Sequence, residues 1–150
     1  MRLSHQVQYA ICGIFDLAYN GQAEPLQIRV ISERQAIPAR YLEQIFQRLR
    51  RADLVTGKRG PGGGYTLSRP AAEISLRDVV EAVEGSLGPT STLCEPSRQR
   101  DSAYRPDFVW ADLAARFARA LENVTLEDLC REAARSQVER AEPDAPMYFI

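Results

Sequence analysis

The chain has 150 residues, 45% of them hydrophobic and 26% charged, with a formal net charge of −1, the profile of one ordinary globular unit with at most an added arm or tail. No stretch approaches the roughly 20 consecutive apolar residues that a membrane-spanning helix needs. Met1-Arg2-Leu3-Ser4-His5 lacks the apolar run of a signal peptide, so no membrane partner is expected and the expected location is the cytoplasm.

The charge is unevenly distributed. Residues 1–70 carry ten Lys and Arg against five Asp and Glu, and residues 71–150 carry nine against fifteen. A basic front half and an acidic back half suit a protein that meets phosphate on one side only. Cys12, Cys94 and Cys130 are odd in number and far apart, which is not a secreted disulfide framework.

Ser4 has the chemistry of a helix N-cap. Val7, Ile11, Ile14 and Ala18 follow at i, i+4, i+7 and i+11 and paint one apolar stripe, which Asn20-Gly21 ends. Pro25 predicts the start of a short second helix carrying Leu26, Ile28, Ile31 and Ala36. Ile37-Pro38 breaks it, because a residue before proline avoids the α region. A third helix starts near Pro38 with Leu42, Ile45, Phe46 and Leu49 on its inner stripe. Arg40, Tyr41, Glu43, Gln44, Gln47, Arg48, Arg50 and Arg51 lie on its other faces. Two short helices joined by a tight turn, the second with a polar, arginine-rich exterior, predict a helix-turn-helix.

Two short β-like runs then flank Lys58-Arg59-Gly60-Pro61-Gly62-Gly63-Gly64, which predicts a hairpin with a long glycine-rich turn, the wing of a winged helix. The run lacks the Gly-Lys-Ser/Thr ending of a phosphate-binding P-loop and precedes a strand, which excludes that reading. Ser75 and Asp78 have capping-box spacing ahead of Leu76, Val79, Val80 and Val83, and Gly85 stops that helix. Residues 86–106 have no period, and a loop of that length is functional or disordered as a rule. From Asp107 the period returns in Trp110, Leu113, Phe117 and Leu121, and Thr125-Leu126-Glu127-Asp128 starts a last helix. The expected organisation is a winged helix-turn-helix over 1–85, a sensor-type loop over 86–106, a long helix with its successor over 107–135, and a flexible tail over 136–150. The fold class is mainly α with a small β-hairpin.

Several stretches together resemble a known family. They are Met1-Arg2-Leu3-Ser4, Tyr9-Ala10, Ile31-Ser32-Glu33-Arg34-Gln35, Tyr41-Leu42-Glu43-Gln44, Arg59-Gly60-Pro61-Gly62-Gly63-Gly64-Tyr65, Ile74-Ser75-Leu76, Val83-Glu84-Gly85, Trp110 and Thr125-Leu126. In order and spacing they are similar to the small bacterial transcription regulators that include IscR, NsrR and CymR. The resemblance implies a homodimeric repressor whose two winged helices bind a palindromic operator in double-stranded DNA. It also implies that Trp110, Leu113, Phe117 and Leu121 lie on the dimerisation helix.

The expected DNA contacts follow. Arg40 and Arg48 can donate to guanine or phosphate, Gln44 can pair with adenine, and Glu43 can accept from cytosine N4. The resemblance carries DNA contact to Arg40, Tyr41, Glu43, Gln44 and Arg59, although small or hydroxyl residues are usual where Arg40 stands. Lys58 and Arg59, on a turn made of Gly60, Pro61, Gly62 and Gly63 and closed by Tyr65, can enter a minor groove. Arg2 and Ser4 at the first helix start form a phosphate clamp, with His5 a phosphate neighbour. Taken singly, exposed Arg, Glu and Gln are solvated surface and a glycine turn is only a turn; the ordered combination carries the reading.

Many members of the family hold an iron–sulfur cluster with three cysteines in the loop before the dimerisation helix. Here that loop offers Cys94 alone, and ungapped counting back from Trp110 puts the other ligand positions near Arg98, Tyr104 and Asp107. Arginine cannot ligate iron, and clusters need mostly thiolate ligands. The expectation is no cofactor. Four readings of the signal stay open: a signalling protein or small molecule; a Cys94 thiol switch beside Arg98 and Arg100; an atypical cluster joining Cys94 to a partner's His5 or Cys12; or constitutive binding. Cys12 and Cys130 are expected to be packed thiols. One histidine and no convergent nucleophile–base pattern argue against an enzyme. A winged-helix protein-interaction module is the remaining alternative.

Overall fold

Ser4 opens the first helix as the sequence predicts, its hydroxyl accepting from Val7 N at 3.2 Å. In the computed structural model, which describes residues 3–21, 24–88 and 103–141, that helix is α1, His5–Asn20. It is followed by α2 (Ile28–Gln35), α3 (Ala39–Arg51), β1 (Val55–Lys58), β2 (Gly64–Leu67), a 3-10 turn (Ala71–Glu73), α4 (Leu76–Glu84), α5 (Phe108–Glu122) and α6 (Leu126–Arg135). The chain is thus mainly helical with one two-stranded antiparallel hairpin, and the expected fold class holds. Arg2, residues 89–102 with Cys94, Arg98 and Arg100, and the tail from 142 lie outside the described residues.

The core explains the helix order. Ala10, Ile14 and Leu17 of α1, Ile31 of α2, and Leu42, Ile45, Phe46 and Leu49 of α3 close around one another with Leu54, Ile74, Val79 and Leu126. All four predicted stripe residues of α3 are buried. Burying such a side chain is worth about 1.5–3 kcal/mol, so one stripe fixes which face of α3 turns outward. Gly13 lets α3 approach α1: a Cβ there would lie 2.9 Å from the Phe46 ring and 3.0 Å from Leu42 Cδ1.

A buried carboxylate joins the first two helices. Asp16 is wholly inaccessible. It accepts from Arg34 Nε at 3.0 Å, from Arg34 Nη2, and from Gln35 Nε2 at 2.9 Å. The turn between α2 and α3 is closed by Ser32 Oγ donating to Ile37 O at 2.5 Å.

Three sequence expectations need correction here. Pro25 does not start α2. Leu26 forms an antiparallel bridge with Tyr65 instead, its N–H donating to Tyr65 O at 2.9 Å while Tyr65 N donates to Leu26 O at 2.8 Å. Ala36 is the left-handed residue that ends α2 (φ 53°), outside the helix. Cys12 is exposed on α1, and Cys130 is half-buried.

Ser75 and Thr125 each complete a capping box, with Asp78 and Asp128 returning the bond. The two caps face one another as an antiparallel bridge: Leu76 N donates to Val124 O at 2.8 Å and Leu126 N to Ile74 O at 2.9 Å. The start of α4 and the α5–α6 corner are therefore fixed together. Past α6 the chain returns to α1: Tyr19 Oη donates to Val138 O at 3.0 Å and Ala141 N to Asn20 Oδ1 at 2.8 Å.

Candidate nucleic-acid interface

The inner stripe of α3 leaves Arg40, Tyr41, Glu43, Gln44, Gln47, Arg50 and Arg51 exposed. Arg40 and Tyr41 form one unit: Arg40 Nη2 donates to Tyr41 Oη at 2.7 Å and its guanidinium lies 4.6 Å from the ring centroid. Tyr41 is 42% exposed. Glu43 has no ion-pair partner among the described residues, although several arginines share its helix.

The wing turns through residues 59–63, with Lys58 paired to Gly64. Gly60 (φ 90°) and Gly62 (φ 71°) occupy the left-handed region that β-carbons disfavour. Gly63 is needed for closeness: a Cβ there would sit 2.7 Å from Gly60 O and closer still to Lys58 O. Lys58, Arg59, Gly60, Pro61 and Gly62 stand exposed at the tip. Tyr65 points the other way, its ring edge-to-face with that of Phe46 at 5.0 Å between centroids, so its side chain supports the wing from the core side.

The cations separate into two classes. Arg29, Arg34, Arg69, Arg77, Arg105, Arg116, Arg131 and Arg135 each lie within ion-pair distance of a carboxylate. Arg40, Arg48, Arg50, Arg51, Lys58 and Arg59, all on α3 and the wing, have no carboxylate partner among the described residues. Elsewhere in the described chain only Arg119 and Arg140 lack one, and Arg140 lies over the Tyr19 ring at 4.5 Å. Unneutralised charge concentrated on one face is what a phosphate backbone selects. Arg50 and Arg51 belong to this exposed basic face as well, beyond the residues singled out from the sequence. The signal was available, because Arg40, Gln44, Gln47 and Arg51 recur at i, i+4, i+7 and i+11.

The start of α1 lies beside this face. A cavity of about 260 Å³ separates it from α3, lined by His5, Gln6, Tyr9, Tyr41, Gln44, Ile45 and Arg48. Ser4 is not free as a clamp: its hydroxyl donates to the Glu84 carboxylate. Arg48 is half-buried and turns inward, Nη1 donating to Gln6 Oε1 at 2.9 Å and to Val83 O at 3.2 Å.

Residues 3–132 match the family model described as Rrf2, iron-dependent transcriptional regulator. The chain belongs to the Rrf2 family. It is 40% identical over 129 residues to the HTH-type transcriptional regulator IscR of Escherichia coli, covering 86% of this chain and 80% of that one. It is 40% identical over 139 residues to a putative HTH-type transcriptional regulator, ORF2, of Azotobacter vinelandii, covering 93% and 83%. Among solved structures, IscR of T. potens superposes with a TM-score of 0.74 at 28% identity, covering 94% of each chain. CymR of B. subtilis, titled the global cysteine regulator, superposes with a TM-score of 0.73 at 27% identity, covering 88% of this chain and 98% of that one. The protein is a transcriptional regulator of the Rrf2 family with a DNA-binding winged helix, and its relatives are named as regulators, not enzymes.

The remaining predicted residues sit on α5. Within one chain this helix buries Ala114 and Ala118. Trp110, Phe117 and Leu121 are half-buried, while Leu113 is 44% and Phe108 79% exposed. Trp110 Nε1 is buried without a hydrogen-bond acceptor among the described residues. Among the described residues no three His, Cys, Asp or Glu side chains gather as metal ligands, and no helix is long and apolar enough to cross a membrane. Partial burial pushes the Cys130 thiol up from its ordinary range, and the Cys12 thiol, exposed as a residue, is pushed the same way by desolvation from its neighbours.

Proposed function

We propose that this Rrf2 protein is a homodimeric repressor that binds a palindromic operator, with α3 in the major groove and the wing tip in the adjacent minor groove. The observation that carries the reading is the concentration of cations without carboxylate partners on α3 and the wing. Arg40, Tyr41, Glu43 and Gln44 face base edges from the first turns of α3. Lys58 and Arg59 enter the minor groove on the glycine turn. Arg50 and Arg51 attract phosphate. The exposed apolar residues Phe108 and Leu113 of α5 support a dimer seam there with Trp110, Phe117 and Leu121, since an exposed apolar patch marks an interaction surface.

Iron is not assigned a part. The family's three-thiolate loop would need two more cysteines than this chain's loop has, and Cys94 lies outside the described residues. The donor set does not fit the usual cluster. Of the remaining readings we favour a protein or small-molecule signal, with a Cys94 thiol switch as the alternative.

The test is selection of bound duplexes from random-sequence DNA, followed by sedimentation of the free protein and of the complex. The expected results are a two-fold symmetric site with half-sites about 34 Å apart or a multiple of it, and two chains per duplex. Gln44→Ala should cost about 1–3 kcal/mol on that site and relax one base position. Arg59→Ala should weaken binding on the same site. Recovery of no consensus, or binding by single chains, would overturn the proposal.

A further inference from the structure

We infer that Arg48 is a positioning residue for operator recognition, which holds α3 against both α1 and the end of α4 and does not itself contact DNA. The inference rests on the DNA-binding reading above. It goes against what an arginine on the outer part of a recognition helix suggests at first sight.

The geometry decides what the guanidinium does. A helix leaves its last four carbonyls without intrahelical donors, and Val83 O is one of these in α4, which ends at Glu84. Arg48 Nη1 donates to that oxygen at 3.2 Å. The cation therefore satisfies an orphan carbonyl and lies at the negative end of the α4 dipole. The same nitrogen donates to Gln6 Oε1 at 2.9 Å. Arginine has donors only, so the Gln6 carbonyl oxygen faces Arg48.

A second, independent bond reaches the same place. Ser4, the N-cap of α1, donates through its hydroxyl to the carboxylate of Glu84. The last turn of α4 is thus tied to α3 through Arg48 and to the start of α1 through Ser4. Both elements that border the cavity take their position from Val83 and Glu84. Loss of Arg48 frees the tilt of α3 relative to α1 and blurs base contacts, and it removes no phosphate contact.

The experiment compares wild type, Arg48→Ala and Gln6→Ala on the selected operator and on a scrambled duplex, each over a series of salt concentrations. Arg48→Ala is expected to lose tenfold or more on the operator with little change on scrambled DNA. Its salt dependence should match wild type, whereas loss of a phosphate contact lowers the log–log slope by about one. Gln6→Ala is expected to lose several-fold on the operator alone. Combined with Arg48→Ala, it should add less than it costs by itself, because the two share one bond. Equal weakening on both duplexes with a reduced slope would show Arg48 to be a phosphate contact and overturn the inference, as would wild-type operator affinity. Gln6 is exposed, so Gln6→Ala keeps the test decisive if Arg48→Ala does not fold, and no loss in it also overturns the inference. Wild-type protein without an operator preference would instead defeat the DNA-binding reading itself.

Discussion

Asp16 and Arg34 form one ion pair, yet removing either partner should cost a different amount. Asp16 has no exposure, and the Arg34 side chain keeps 28%. Arg34→Ala strands a fully buried carboxylate with Gln35 Nε2 as its one remaining side-chain donor. An uncompensated buried charge of that kind costs about 3–5 kcal/mol. Asp16→Ala removes the buried charge itself. Arg34 then turns to water along the path it already has, so the loss is the surplus of its charge-assisted bonds, about 1.5–3 kcal/mol, reduced by a few tenths through the better helix propensity of alanine. Arg34→Ala should therefore be the more damaging by about 2 kcal/mol, the difference between those ranges. Urea unfolding of both variants at pH 7, at one fixed protein concentration, measures it, with equal slopes required for the comparison. If Asp16→Ala is equally or more destabilising, the carboxylate contributes through something other than the charge it buries.

Two further outcomes follow from local geometry. Gly63→Ala should distort the wing, because its Cβ meets the Lys58 and Gly60 carbonyls. Gly62→Ala meets no atom within 4 Å and bears only the left-handed backbone penalty of about 1–2 kcal/mol. Operator affinity should fall more in the first than in the second. The Asp128 carboxyl is held below its ordinary range, first by the Thr125 backbone N–H and next by its side chain. Its folded pKa is lower than its unfolded one, so its stabilising contribution is present above the unfolded value and lost as pH falls through the folded value. Thr125→Ala keeps the backbone N–H and removes the side-chain bond, so it should raise the Asp128 titration midpoint followed by carboxyl-carbon NMR only in part, and an unchanged midpoint would mean that the hydroxyl contributes nothing.

Periodicity made the helix-turn-helix legible. Leu42, Ile45, Phe46 and Leu49 are fixed at helical spacing by burial alone, and knowing the inner stripe gives the outer face. Both capping boxes and the wing turn were equally plain, because each depends on residues a few positions apart. The failures have one cause, which is that a distant partner overrides a local signal. Pro25 has the look of a helix start, but Leu26 is captured by Tyr65 across the sheet edge. Asp16 sits among apolar residues with no local sign of its partner eighteen positions on. The bonds that turn Arg48 toward Gln6 and Val83 likewise have no local signal. On α5 the apolar residues at helical spacing are mostly half-buried or exposed, while Ala114 and Ala118 face the chain's own core. Small residues give little signal in a pattern of hydrophobicity.

The facing caps at Ser75 and Thr125 give α5 the mechanics of a lever. Its C-terminal end runs directly into Val124 and Leu126, whose backbones are bonded to Leu76 at the start of α4 and to Ile74 two residues ahead of it, so that end moves with the DNA-binding unit. Its other end carries Phe108, exposed and about 22 Å away along fifteen residues. A rotation of about ten degrees at the fixed end carries Phe108 through roughly 4 Å on an arm of that length. In two copies joined through α5, the same small rotation would change the separation of the two wings, and with it the fit of both half-sites at once.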